Sequence, residues 1–311
     1  MWWRAEINDR GDSSLLQPVM LYIHGGHLEW TPPDGELWAS NFSAATNQVV
    51  TTLNFRNGPM GFLPVRELGA EGGTGGLNGV YDLIVALRWI QDNIHHFGGD
   101  PNRVTLYGGS TGGSLVCLLA ASPLAAGLFD SVVIASGPCH GLKELLPASV
   151  GTAYTSLFRQ MLARHLHNMT AEDVDVEYMR SLPAETLIAS WDDMEYHVDL
   201  NDKPPLFHDA NFAFMDGWVL SKRPSTYFKA GQGNMRSAIM GVTSLDGVLF
   251  YPHNHTYPGS SYPADRTTWL LSKGEVLKSV PFQVPGFRVP FPREYEEQVL
   301  AWTNTTFGVF K

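Results

Sequence analysis

Long apolar runs are missing from this chain. None of its 311 residues fall in a stretch of the roughly 20 apolar residues that a helix needs to cross a bilayer. Basic residues are scarce too: 21 Lys and Arg stand against 31 Asp and Glu, for a formal charge of −10. Tracking a phosphate backbone takes clustered cations, so a nucleic-acid partner is excluded as a reading. The acidity reads as a solvated surface, with at most a mild preference for cationic substrates. Only two cysteines occur, Cys117 and Cys139, too few for a disulfide framework or a thiolate metal site. Cys117 is expected to be a buried thiol. Repeats and low-complexity segments are absent. The start, Met1-Trp2-Trp3-Arg4-Ala5-Glu6, lacks the basic-then-apolar pattern of a signal peptide. Four N-x-S/T sequons, at Asn41, Asn168, Asn254 and Asn304, point weakly toward the secretory pathway, and the compartment stays open.

What is present is core material: 44% hydrophobic residues against 17% charged, a globular balance. Short apolar runs at Val19–Ile23, Val49–Leu53, Arg103–Tyr107, Ser131–Ala135 and Ser237–Val242 read as strands. A helix is expected over Tyr81–Ile94, where Leu83, Ile84, Leu87, Ile90 and Ile94 share one face. Strands alternating with helices imply an α/β fold, a mostly parallel central sheet wrapped by helices. From about residue 145 to 205 the patterns turn helical (Tyr154–Leu166, Ala171–Leu182), which reads as an insertion or cap within one domain spanning 1–311.

The chemistry centres on Gly108-Gly109-Ser110-Thr111-Gly112, a G-x-S-x-G pentapeptide between a strand and a small-residue helical pattern. A strand entering a helix through so sharp a bend lifts the serine oxygen above the sheet edge, and glycines on both sides avoid collision across it. Ser110 is thus a candidate nucleophile. The plainer alternative is a helix N-cap serine. A serine hydroxyl attacks only when a base takes its proton, the base is oriented by an acid, and amides meet the developing oxyanion. Thr111, through its backbone N–H, and the loop His24-Gly25-Gly26-His27, through Gly26 and His27, are candidate oxyanion donors. Asp246, on the loop after the strand Ala238–Val242, is a candidate acid. On spacing alone it reads equally well as a solvated loop residue.

Taken together these pieces resemble the type-B carboxylesterase and cholinesterase family. The resemblance runs over roughly residues 17–252 and includes Tyr22-Ile23-His24-Gly25-Gly26, Asn54-Phe55-Arg56-Asn57-Gly58-Pro59-Met60-Gly61-Phe62-Leu63, Asp82 through Ile94, Phe97-Gly98-Gly99-Asp100-Pro101, the elbow, Asp216-Gly217 and Gly241 through Gly247. It implies an α/β-hydrolase that cleaves small-molecule carboxylic esters through an acyl-serine, with no cofactor and no metal, and it implies that Asp246 is the triad acid. Four departures stand out. Gly109 replaces an acid, Thr111 a smaller residue and His27 the third glycine, and the family's leading segment and His-bearing trailing segment are not matched. Only His253 and His255 follow Asp246, in a His-Asn-His run beside proline that reads as a loop rather than as the base. Two expectations follow. One is an active esterase of which this chain is a part, incomplete at both ends. The other is a catalytically dead cholinesterase-like binding or adhesion module. A sheet lacking its last strands would expose an edge and apolar faces.

Overall fold

A computed structural model describes residues 16–29, 37–70, 75–137, 148–166, 169–197 and 215–242. The chain divides into two units, Met1–Asp246 and Gly247–Lys311, and every described residue belongs to the first.

Among the described residues five strands form one parallel sheet: β1 (Gln17–Ile23), β2 (Val49–Thr52), β3 (Gly99–Gly109), β4 (Ser131–Ala135) and β5 (Ser237–Gly241), in the order β2-β1-β3-β4-β5. All five lie where the apolar runs place them. The β1–β3 register sets Leu21 against Leu106 and Ile23 against Gly108, and β4 continues it with Gly109 against Ala135. The chain builds β2 on one side of β1 and β3 on the other. The strand order therefore reverses between β1 and β3, and in open α/β sheets ligands bind at such a reversal, outside the carboxyl ends of the strands.

One face of the sheet carries Val19, Leu21, Ile23, Val104, Leu106, Val132 and Ile134, all buried. Against it pack α4 (Asn78–Asn93) and α5 (Thr111–Ala121). The expected face of α4 is the observed one, with Leu83, Ile84, Leu87 and Ile90 all inside. Helix α5 is buried almost throughout, since Gly112, Gly113, Ala120 and Ala121 let it lie close to the strands. On the other face, Met20 and Val50 meet Ala39 of α1 (Leu37–Thr46), and Tyr22 and Tyr107 sit with ring centres 5.5 Å apart. Strand β5 is different. Its Ile239 and Met240 are 69% and 58% exposed, and among the described residues it is paired on one side only, with β4.

Between β4 and β5 the described elements are all helical: α6 (Ala148–His165), α7 (Val176–Ser181), α8 (Ala184–His197) and α9 (Pro224–Lys229). A second core joins α6 and α8 to the segment after the short helix α2 (Gly58–Phe62). There Leu63 and Val65 pack with Tyr154, Phe158, Leu162 and Trp191. The short helix α3 (Arg66–Ala70) is tied to α6 by an ion pair between Glu67 and Arg159 at 2.7 Å. The helix expected over Ala171–Leu182 is broken. A single 3-10 turn, Ala171–Asp173, is closed by a capping box between Thr170 and Asp173, and Asp175 then caps α7 by accepting from the Tyr178 N–H at 2.8 Å. Two capping residues so close together stop one helix and start another. Cys117 also departs from expectation. It is disulfide-bonded rather than a free thiol. Apolar spacing alone gave no sign of a covalent partner. The other cysteine, Cys139, lies outside the described residues.

The turn at Asp216-Gly217 fastens the helical layer. Asp216 Oδ1 accepts from the N–H groups of Trp218 and Leu220, each at 3.1 Å, and Ser122 Oγ donates to the Val219 carbonyl at 2.7 Å. Trp218 leans on Tyr81 of α4, with ring centres 4.8 Å apart. Asp216 Oδ2 is buried with no partner, and burial raises the carboxyl above its ordinary range against the pull of the amide hydrogen bonds. A carboxyl raised by folding stabilises the native state below its unfolded value and costs stability as pH rises through the folded one. Asp216→Asn keeps the Oδ1 acceptor. Urea unfolding of both proteins at pH 4 and pH 7 should therefore show the variant gaining on wild type as pH rises. A constant difference between them would contradict this account of Asp216.

Candidate active site at the carboxyl edge of the sheet

Ser110 joins β3 to α5 with φ 55° and ψ −129°, a left-side conformation that a serine adopts only when its surroundings hold it. Three hydrogen bonds do the holding. The Ser110 N–H donates to the Ala135 carbonyl at 2.9 Å, and its carbonyl accepts from the Gly113 and Ser114 N–H groups at 2.9 and 3.2 Å. The Ser110 side chain makes no N-cap hydrogen bond, so the plainer N-cap reading is not what the residue does.

The flanking glycines are there for space. A Cβ on Gly108 would lie 2.3 Å from the Gly112 carbonyl oxygen, and one on Gly112 would lie 2.2 Å from that of Ile23. The second contact matters most, because it brings the first turn of α5 onto the end of β1. The loop after β1 is equally close. A Cβ on Gly25 would stand 2.9 Å from the Gly109 carbonyl oxygen, 3.1 Å from Ser110 Cβ and 3.7 Å from Ser110 Oγ. Gly26, His27 and Leu28 follow with φ of 111°, 56° and 68°, three successive positive values that turn the loop sharply back. The turn closes with the Glu29 N–H on the Gly26 carbonyl at 2.9 Å. His24 steadies it from below. It is 5% exposed, its Nδ1 lies 2.6 Å from the Gly25 carbonyl oxygen, and its ring stacks on Phe55 at 4.4 Å.

The structure thus brings Ser110, Thr111, Gly26 and His27 to one stretch of the sheet edge, at the β1/β3 reversal. Thr111 opens α5, and the first N–H groups of a helix have no partner within it. Among the described residues no acceptor meets the N–H of Gly26 or Thr111. Asp246 lies outside the described residues, as do His253 and His255. Strand β5 runs parallel to β4 and ends at Gly241, so the chain leaves toward Asp246 from the same edge.

Sequence reasoning passed over two features. Ser136, next after β4, also has φ 55°, and its N–H donates to the Gly241 carbonyl at 2.7 Å, which links the elbow's neighbour to the end of β5. Only the register of Gly109 with Ala135 places it beside Ser110. The other is acidic. Glu29 Oε1 is buried without a partner, and desolvation raises the Asp192 carboxyl of α8, with the charges of Glu29 and Asp193 adding to the effect. Nothing local connects residue 29 to residue 192. Among the described residues no group of three His, Cys, Asp or Glu is placed to hold a metal ion.

The sequence profile of the Carboxylesterase family matches residues 8–274. The chain is 33% identical to human neuroligin-2 over 250 residues, which cover 79% of this chain and 27% of neuroligin-2. It is 28% identical over 292 residues to the para-nitrobenzyl esterase of Bacillus subtilis strain 168, covering 93% of this chain and 54% of the esterase. Among solved structures, a thermophilic PNB esterase superposes with a TM-score of 0.65 at 27% identity, over 79% of this chain and 48% of its own. The chain therefore spans about a quarter of the neuroligin and about half of the esterases.

Gly112 and Gly109 offer a matched pair of tests. Alanine at Gly112 must displace backbone, and overpacking of that kind costs ~1–3 kcal/mol, more than the ~0.5–1 kcal/mol that alanine returns in a helix. At Gly109 the nearest atom to a new Cβ is 4.0 Å away, so alanine fits. Urea unfolding should show Gly112→Ala destabilised by that margin and Gly109→Ala within ~0.5 kcal/mol of wild type. Equal stability of the two variants would refute the close-approach account.

Proposed function

The chain belongs to the carboxylesterase family and has the α/β-hydrolase fold, and on that premise we propose that it is a carboxylic ester hydrolase acting through an acyl intermediate on Ser110. The observation that carries this reading is the Ser110 backbone at φ 55°, set at the strand-order reversal with the Gly25 loop in contact with it. In this reading Ser110 Oγ attacks the ester carbonyl, and the electron pair released onto oxygen is met by the N–H groups of Gly26, His27 and Thr111. The base takes the Ser110 Oγ–H proton during attack and hands it to the departing alcohol as the tetrahedral adduct collapses, and water, giving a proton to the same base, then releases the acid and restores Ser110. Asp246 is assigned as the acid that orients the base. The family resemblance supports that assignment, together with its place four residues beyond Val242. The base is the one component for which no residue of this chain is proposed, and its loss in a serine triad costs about a million-fold in turnover.

A second reading, a cholinesterase-like binding module without turnover, draws on different observations. His27 and Gly109 depart from the family pattern at the site itself, and some of the family relatives at 32–34% identity bear the name neuroligin rather than esterase.

The two readings separate on one experiment. The protein is purified at its full natural length and treated with a fluorophosphonate probe, the adduct is mapped by mass spectrometry, and short-chain nitrophenyl esters are assayed alongside. The esterase reading expects a single adduct on Ser110, lost in Ser110→Ala together with at least about 10⁴-fold of kcat. A folded, monodisperse protein with no adduct and no hydrolysis supports the binding module, and an adduct that persists in Ser110→Ala overturns the assignment of the nucleophile.

A further inference from the structure

Helix α1 carries a residue that the fold itself does not use. Asn41 lies inside the ten residues of Leu37–Thr46, too far in to cap either end. It is exposed, and its side chain makes no hydrogen bond among the described residues. Asparagine is a poor helix former because its amide competes with the backbone, and alanine, which stands at Ala44 and Ala45 of the same helix, would serve better. Asn41 also opens the sequon Asn41-Phe42-Ser43. The helix turns these three residues to different sides. Phe42 packs on the small core of Met20, Ala39 and Val50, and Ser43 is buried, its Oγ donating to the Gln48 carbonyl at 2.6 Å. Asn41 alone of the three faces water, and it is the one sequon asparagine that falls within the described residues.

A second, independent observation comes from α5. Cys117 is buried in that helix and disulfide-bonded. A bond so enclosed closes while the chain folds, and disulfides form and persist in oxidising compartments, whereas cytosolic thiols are kept reduced. The endoplasmic reticulum is such a compartment, and it is where sequon asparagines receive sugar. We infer that Asn41 is N-glycosylated, an inference independent of the esterase reading. The reaction is a glycosyl transfer from a diphosphate-activated oligosaccharide. A bond forms between Asn41 Nδ2 and the anomeric carbon of the sugar, and the bond from that carbon to the diphosphate oxygen breaks. The diphosphate leaves with the electron pair, and the amide proton passes to a base of the transferase. The fold sets the order of events. Once α1 is seated, the Ser43 hydroxyl is enclosed and its proton is committed to Gln48, so the sequon is read before α1 packs on the sheet. The sugar then stands on the outer side of α1, beside the exposed Ala44, Ala45 and Thr46, and keeps that surface closed to a protein partner.

The test uses the full-length protein purified from the cells that make it. The peptide bearing Asn41 is mapped by mass spectrometry before and after N-glycosidase treatment in heavy-oxygen water, which leaves a labelled aspartate wherever a sugar stood. Thiol alkylation with and without reduction reads the state of Cys117 in the same sample. Asn41→Gln, Ser43→Ala and Ser43→Thr are made in the same cells. A glycopeptide at Asn41 is expected, lost in Asn41→Gln and in Ser43→Ala and kept in Ser43→Thr. Thermal unfolding of Asn41→Gln should match that of enzymatically deglycosylated wild type, because the folded protein does not use the amide, while Ser43→Ala falls below both for want of the Gln48 hydrogen bond. Should a Ser43 variant fail to fold, the exposed Asn41→Gln carries the comparison. An Asn41 peptide that is unmodified while Cys117 is oxidised overturns the inference. One that is unmodified while Cys117 is reduced overturns both the inference and the compartment it rests on.

Discussion

Backbone packed directly on backbone, where α5 meets the ends of β1 and β3, is the constraint on which the rest depends. No side chain fits between Gly112 and the Ile23 carbonyl, or between Gly108 and the Gly112 carbonyl. That contact sets how tightly the chain must bend at Ser110, and the bend in turn demands a φ of 55° from a residue with a Cβ. Conformations of this kind cost about 1–3 kcal/mol and survive only where several neighbours agree on them. Here the neighbours are the Ala135 carbonyl, the Gly113 and Ser114 amides and the buried wall of α5.

The surroundings divide the work of holding this bend. On one face of the sheet, α4 and α5 supply the apolar burial that packs against the parallel strands. Below the glycine loop, His24 stacks on Phe55 and lies against the Gly25 carbonyl, so a loop of three successive positive-φ residues is steadied by a ring rather than left to its own propensities. The second core under α6 and α8 reaches the site through Leu63 and Val65, and it brings Asp192 to where it senses Glu29, two residues past His27.

Legibility varied with the range of the interaction involved. All five strands were readable because each is a short apolar-rich run bounded by turn or helix signals. The long helix α4 was readable from its apolar spacing. Short helices such as α2 and α3 carry too few turns to show a period. The break between Ala171–Asp173 and α7 was hidden because two amphipathic turns in phase look like one helix, and only the capping by Thr170 and Asp175 separates them. The disulfide at Cys117 left no trace in spacing, since pairing depends on the folded path of the chain and not on any local pattern. Ser136 and Asp192 were missed for the same reason. Each matters through a neighbour more than twenty residues away.

By itself the sequence determined the kind of chain this is: an acidic α/β protein with alternating strands and helices, a G-x-S-x-G bend after its third strand, and a second glycine loop after its first. These are local properties, carried by apolar runs and by glycines whose missing side chains announce close approach. Only the tertiary structure decided that the two glycine loops face each other. That required β3 to pass β2 and pair on the far side of β1, a choice made by packing across the whole sheet rather than by any single segment. It also decided that the Thr111 hydroxyl is buried without a partner, because burial is a property of everything that surrounds a residue and of nothing within it.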